Sequence, residues 1–359
     1  MIKALDIWLP GYLRRGRAPA TTGPVDLLLC ICDHYEPFHK ADEATALARV
    51  DRWVQEYPRM ADAFRDADGR PPRYSFFFPI EQYHPGVIDR LAGLCRAGYG
   101  EVEIHLHHDD DTAENLRATL EQGVRDFASH GCLTRGPDGR HRYAFIHGNW
   151  TLDNSHPAGR YCGVDTELRI LADTGCYADF TLPSAPNRTQ TRMVNSIYYA
   201  TDTPGPKSHD TGEPLIAGQA QTPGPDSLLM IQGPLALNWH RRKWGLMPRI
   251  ENGDLTALNP PTPERLALWA QLGVHVSGRP EWRFVKLHTH GALPDASDMH
   301  LGQPTRAHYE HLLAHYNDGE NYRCHFVTAR EMANIALAAE AGKSGNAGDY
   351  RDFLYPSPT

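Results

Sequence analysis

The sequence predicts an α/β fold built on parallel strands, and two observations carry that prediction. Short apolar runs alternate with segments of helical periodicity through residues 25–182 and again through residues 263–340. Several of the runs are nearly unbroken, as expected for strands buried on both faces rather than one. Strand-then-helix repetition implies right-handed crossovers, in a sheet that is either open or closed into a barrel.

Residues 25–32 (VDLLLCIC) form the first run. Residues 42–56 follow with helical composition, and Pro58 marks their end. Residues 74–78 (YSFFF) are the second strand, and 84–97 a helix with Val87, Ile88, Leu91, Leu94 and Cys95 on one face. Residues 101–107 (EVEIHLH) are the third strand and 112–129 the next helix. Residues 143–146, 164–172 and 176–182 continue as strand, helix and strand. The rhythm breaks over 187–262, a stretch rich in Pro, Gly, Asn, Thr and Asp, which reads as inserted loops and hairpins capping an active-site mouth. It resumes with a helix at 263–272, a strand at 282–288, a helix at 305–316, a strand at 325–328 and a helix at 330–340. Residues 1–359 read as one domain, with a loosely ordered tail from 349 onward.

A net charge of −8 without a basic stripe argues against nucleic acid and anionic membrane as partners. No stretch has the length of a transmembrane helix, and the N-terminus carries its positive charges after its apolar residues, the reverse of a signal peptide. The seven cysteines form no Cys-x-x-Cys pair, which disfavours a zinc ribbon or a disulfide framework. The expectation is a cytoplasmic protein without stable membrane insertion, its N-terminal segment packed on its own domain.

In parallel α/β architectures the reactive groups gather at the carboxyl ends of strands. Five runs here end in such groups: Asp33-His34-Tyr35-Glu36, His105 through Asp111, His147-Gly148-Asn149-Trp150, Asp179, and His288-Thr289-His290. Strand alternation puts His105 and His107 on one face, and paired imidazoles beside carboxylates suit Zn²⁺, or a harder metal if oxygen ligands dominate. His107 is expected to be a ligand, and His105 a ligand, a support behind one, or a core residue. Asp111 with Glu114 also fits a helix capping box. Asp33 with His34 and Glu36 suits a base beside further ligands, and His288 is placed to be a general acid. Trp150 offers a stacking surface for a sugar ring.

At these residues the sequence resembles the polysaccharide deacetylases, carbohydrate esterase family 4. The stretch SFFFPIEQYHPGVIDRLAGLCRAGYGEVEIHLHHDDD is similar to the family's succession of a "TFF" strand, a helix opened by His-Pro, a glycine turn, and Glu-Ile before a His-Ser-x-x-His metal motif. Laying Glu103-Ile104 on that Glu-Ile puts His107 on the first histidine and Asp111 on the second. Cys32-Asp33-His34 stands where the family has Phe-Asp-Asp, Asp179 near an orienting aspartate, and Val285-Lys286-Leu287-His288 at the leucine-plus-histidine motif.

The resemblance implies an irregular (β/α) barrel, seven-stranded, and a divalent metal on His34, His107 and Asp111. Zinc is the first choice, with Mn, Co or Ni as alternatives. Glu36, His105 and His108 would stand behind the ligands, and His147, Asn149 and Trp150 would face a carbohydrate substrate. The implied reaction removes an N-acetyl group from a sugar or glycan precursor. The metal polarises the carbonyl and binds the attacking water, Asp33 takes the water's proton, Asp179 orients the machinery, and His288 protonates the leaving amine. The chain departs from the family with His at 34, Asp at 111 and no Arg-x-Pro motif, and the 187–262 insertion marks a divergent branch. Two other readings are a cofactor-independent amide hydrolase or glycosidase on a related barrel, and a non-catalytic carbohydrate-binding protein.

Overall fold

A mixed, mostly parallel sheet organises the chain. The structure is a computed structural model and describes residues 2–15 and 18–358. Its strands are β1 (Val25–His34), β2 (Tyr74–Pro79), β3 (Gly100–Leu106), β4 (Thr134–Arg135), β5 (His141–His147), β6 (Cys176–Asp179), β7 (Ile197–Thr201), β8 (Glu213–Pro214), β9 (Ser227–Ile231), β10 (Ala236–Lys243), β11 (Met247–Glu251), β12 (Asp254–Leu255), β13 (Trp282–Thr289) and β14 (Tyr322–Phe326). The main sheet runs β12-β13-β1-β2-β3-β5-β6-β9-β7-β8, with β14 beside β1, and parallel pairing holds from β12 to β9. Regular pairing does not join its two ends among the described residues. They approach through an isolated bridge between Ile216 and Ser277 and single bonds such as Phe284 N–H to Val274 O.

The helices are α1 (Leu5–Arg15), α2 (Glu43–Ala61), α3 (Pro85–Leu94), α4 (Ala113–Ser129), α5 (Glu167–Thr174), α6 (Pro263–Leu272), α7 (Pro294–His300), α8 (Gln303–Tyr316) and α9 (Ala329–Glu340). All ten residues of β1 are buried, so its two faces serve two cores. Leu27, Leu29 and Ile31 pack with Val50, Trp53 and Tyr57 of α2. Leu28 and Cys30 face the other way, into a cluster with Ala333 and Ala336 of α9 that also takes in Ile146, Ala178, Ile231 and Phe284. Strands from both ends of the sheet thus meet around α9, an alanine-rich helix thin enough to fit between them.

Several elements differ from expectation. Helix α2 continues through Pro58 to Ala61, because Val50, Trp53, Tyr57 and Met60 keep a buried stripe that outweighs one lost backbone bond. Residues 5–15 form a helix despite Pro10, and Trp8 is buried against Ala185, Val194 and Leu235. Four short strands of the 187–262 stretch belong to the sheet rather than above it: β7, β8 and β9 extend it and β12 pairs with β13. Hairpin β10–β11 stands apart, with Trp239, Trp244, Leu246 and Met247 exposed. No helix among the described residues is long and apolar enough to cross a membrane.

The tail is anchored, not loose. Arg351 is buried between Asp66, Asp68 and Glu331, and Glu331 also holds Arg73. Burial opposes the charge on Glu331, but Arg73, Arg351 and Arg330 together hold its carboxyl down at about 2. A depressed folded-state pKa contributes stability that is complete above the ordinary glutamate range and lost as pH falls through the folded value. Thermal stability should therefore drop between about pH 4.5 and pH 2. Glu331→Gln should cost about 1–3 kcal/mol near neutrality, by removing charge-assisted bonds from arginines that keep Asp66, Asp68 and Glu101, and little at the acid end. Melting curves of both proteins against pH check this; parallel curves would refute it.

Candidate active site

Parallel register brings the reactive residues to one edge. Cys32 and Asp33 lie opposite His288 and Thr289, His34 opposite Phe77, and His105 and Leu106 opposite Ile146 and His147. Because all these strands run the same way, their last residues emerge together.

The centre of the site is the Glu36 carboxylate. Its Oε1 lies 3.3 Å from His105 Nε2, 3.5 Å from His107 Nε2 and 3.9 Å from His290 Nε2. His34, Glu36 and His105 present ligand atoms within 4.8 Å of one another, all buried. The outer nitrogens are committed elsewhere. His105 Nδ1 is 2.9 Å from the Ile146 carbonyl, which can only accept, so this nitrogen carries a proton and Nε2 is the one turned to Glu36. His107 Nδ1 is likewise held by Glu81 at 2.7 Å. Two imidazole nitrogens, each with its far N–H anchored, aimed at one carboxylate oxygen is the arrangement in which supporting acceptors orient metal-binding histidines. The His34 and His107 rings stand 4.7 Å and 4.6 Å from that of His105, and burial, with neighbouring imidazoles adding, keeps His34 uncharged. Both nitrogens of His34 are buried without a partner. A divalent cation answers these requirements together.

The electrostatics follow from that crowding. Burial works against the Glu36 charge, but His105 and His107 hold its carboxyl well below the usual range. Burial also works against protonated His107, yet Glu36 and Glu81 raise it to about 9. Burial pushes Asp33 up to about 8 against the Gly291 N–H bond, with Glu36 adding to the rise.

Asp33 sits directly behind the ligands. Its Oδ1 accepts the Gly291 N–H at 2.6 Å, and its buried Oδ2 has no partner. A Cβ on Gly291 would stand 2.1 Å from that Oδ2, and one on Gly148 would stand 2.2 Å from the His107 ring, so both sites require bare backbone. Trp150, held at φ 62°, places its ring 4.9 Å from His34 and 4.9 Å from His288. A side chain in that sparsely populated region is a feature of strained functional segments. Beyond them opens a cleft of about 590 Å³ whose walls include Glu36, Glu81, His107, Asn149 and His290.

Of the predicted residues, the structure brings together Asp33, His34, Glu36, His105, His107, Trp150 and His288, with Asn149 on the cleft wall. Glu36 and His105, expected behind the ligands, stand among them. His290 was part of a strand end but carried no expected role; its signal was its position two residues beyond His288. Asp111 is not brought to His34 and His107. Its Oδ2 pairs with His108 Nδ1 at 3.1 Å, and its Oδ1 accepts from Thr112 N–H and Asn115. The helix cap is Thr112, one residue later than the capping-box pattern suggested.

His147 does not face the cleft. It is fully buried, burial takes its imidazole down to about 3, and its Nε2 points toward Glu167. Asp179 bonds Thr181 through both oxygens, and Thr181 Oγ1 accepts the His147 N–H. Its hydrogen bonds thus support the end of β5 rather than Asp33 or His288.

No family model matches the chain, and no curated protein aligns with it. Among solved structures it is similar to a GH57 branching enzyme from the hyperthermophilic archaeon Thermococcus kodakaraensis, in complex with glucose and additives. The identity is 9% and the TM-score 0.32, over 84% of this chain and 72% of that one. A likeness at that level transfers no residue role.

Proposed function

We propose that the chain is a metal-dependent hydrolase that removes an N-acetyl group from a sugar or glycan precursor, on the irregular barrel that the deacetylase resemblance implies. One observation carries the reading: imidazole nitrogens with anchored far sides converge on Glu36 Oε1, whose charge is also felt by Asp33, three residues before it, with its unpaired, buried Oδ2. His34, Glu36 and His105 would hold the ion, with His107 and His290 completing its open side. Zinc suits this nitrogen-rich set best.

A bound divalent cation supplies Lewis acidity toward the substrate carbonyl and the attacking water. The chain's own groups do the rest. Asp33 offers Oδ2 to a proton while the Gly291 N–H fixes Oδ1, so the carboxylate cannot turn away. Burial, with Lys286 adding, keeps His288 neutral at rest, so the proton that reaches the leaving amine through His288 must be the one Asp33 takes from the attacking water. His288 Nδ1 has no partner and is available to the leaving amine. Trp150 shields both imidazoles from water and offers its remaining face to a sugar ring.

The experiment combines metal analysis of protein purified without chelators with an assay of acetate release from free, polymeric and lipid-linked N-acetyl sugars. Stoichiometric metal and chelator-sensitive acetate release are expected. Substantially metal-free protein, or release of reducing sugar in place of acetate, would defeat the proposal in favour of a glycosidase.

A further inference from the structure

A second cluster of donors lies on the other side of the 105–111 segment, and nothing in the reaction above uses it. His108 follows β3, His147 ends β5, Cys162 lies in the loop before α5, and Glu167 opens α5. Their ligand atoms all lie within 4.8 Å of one another. We propose that His108, His147, Cys162 and Glu167 form a second metal site, a closed tetrahedral centre of the structural zinc type.

Three observations carry it. The first is spacing. Donors about 2.0–2.3 Å from a tetrahedral zinc stand roughly 3.3–3.8 Å from one another. Here His108 Nε2 is 3.1 Å and His147 Nε2 3.9 Å from Glu167 Oε1, and Cys162 Sγ lies within 4.8 Å of the other donors, 3.4 Å from the second Glu167 oxygen, Oε2. The His147 separation is too long for a hydrogen bond but close to an edge of that tetrahedron.

The second is that His147 Nε2 is buried without a partner while directed at the cluster. Its other side suits a ligand. Thr151 donates its hydroxyl proton to Tyr161 O at 2.6 Å, which leaves the Thr151 oxygen, 3.4 Å away, as an acceptor for His147 Nδ1–H. The Asn149 N–H also approaches Nδ1, at 3.2 Å, and favours the opposite tautomer; metal binding at Nε2 would displace that contact.

The third is orientation. Asp111 holds His108 Nδ1 at 3.1 Å, the carboxylate–histidine pairing that presents the opposite nitrogen to a metal.

The donor set is mixed nitrogen, sulfur and oxygen, and the His147, Cys162 and Glu167 side chains are fully enclosed, which marks a closed site rather than one with an open coordination position. Binding releases two protons to solvent, one from Cys162 Sγ and one from the His108 Nε2 that faces Glu167, with no change of oxidation state. The alternative is an imidazolium of His108 paired with Asp111 and Glu167, which leaves His147 Nε2 unsatisfied. Position gives the site a role. It pins the residue next to His107, so the loop carrying that ligand is fixed from behind.

The test uses full-length protein produced in zinc- or cobalt-supplemented medium. Zinc X-ray absorption should show sulfur at about 2.3 Å among the scatterers. The cobalt form should show a near-ultraviolet thiolate-to-metal charge-transfer band. Cys162→Ser should lose the band and one ion per chain while keeping the cobalt spectrum of the His34–Glu36–His105 cluster. His34→Ala should do the reverse, so failure at one site is distinguishable from failure at the other. Should Cys162→Ser not fold, absorption on the wild type still decides. Nitrogen and oxygen scatterers alone, with no band, would overturn the assignment, as would a band that survives Cys162→Ser.

Discussion

Asp33→Asn is expected to lower kcat by about 10²–10⁴-fold, the usual contribution of a positioned general base, with metal content unchanged. Asparagine keeps the size of the side chain and can still accept the Gly291 N–H through its carbonyl oxygen. What it then presents in place of Oδ2 is an amide NH₂, which cannot take a proton. Asp33 is fully buried and holds no place among the converging ligand atoms of His34, Glu36 and His105. Removing a carboxyl that burial already destabilises should leave the melting temperature equal or higher. Initial rates, metal content and melting on one preparation check all three. An unchanged rate would remove Asp33 as base, and a loss of metal would make it a ligand.

The strands were legible because a strand buried on both faces leaves an apolar run that little else produces. Residues 25–32 and 282–288 are nearly coextensive with β1 and β13. That Asp33, His34, Glu36, His105, His107 and His288 gather followed from the same fact, since parallel strands deliver their last residues to one edge, whereas His147 and Asp179 end their strands facing elsewhere. The partners of those residues were not legible. His107 and His108 are neighbours in sequence and project into different clusters, and the side each takes depends on where β3 stops and the following loop turns. Asp111 fits the spacing of a ligand motif, but Gly163 packs against the backbone of residues 110 and 111 and the Asp111 N–H bonds Cys162 O, which turns the carboxylate to His108. Cys162 and Glu167 reach that cluster from a loop and a helix start whose local pattern carries no sign of it. Helix α9 was expected at 330–340, but its place amid residues from both ends of the sheet is a long-range fact with no local trace.

Gly291→Ala tests whether the base must be held in position. The added methyl would stand 2.1 Å from Asp33 Oδ2 and 2.8 Å from Trp53, so something must move. Trp53 is fixed by bonds from its indole N–H to Gly291 O and Ser297 and by packing on Tyr35, Tyr57 and Tyr74, leaving the Asp33 carboxylate as the softer partner. Misplacing a reacting group by about 1 Å costs about 10²-fold in rate, and overpacking a tight interior costs about 1–3 kcal/mol. The expected result is a kcat loss near that size with KM little changed and metal retained, because the atoms nearest the methyl belong to Asp33 and Trp53 and not to His34, Glu36 or His105. Gly148→Ala is the informative contrast. Its methyl would stand 2.2 Å from the His107 ring, so it should weaken metal binding at the open side of the site rather than turnover at saturating metal. Rates measured across a metal titration separate the two variants. If added metal restores Gly291→Ala, the glycine serves the ion and not the base, and the account of Asp33 as a held carboxylate is wrong.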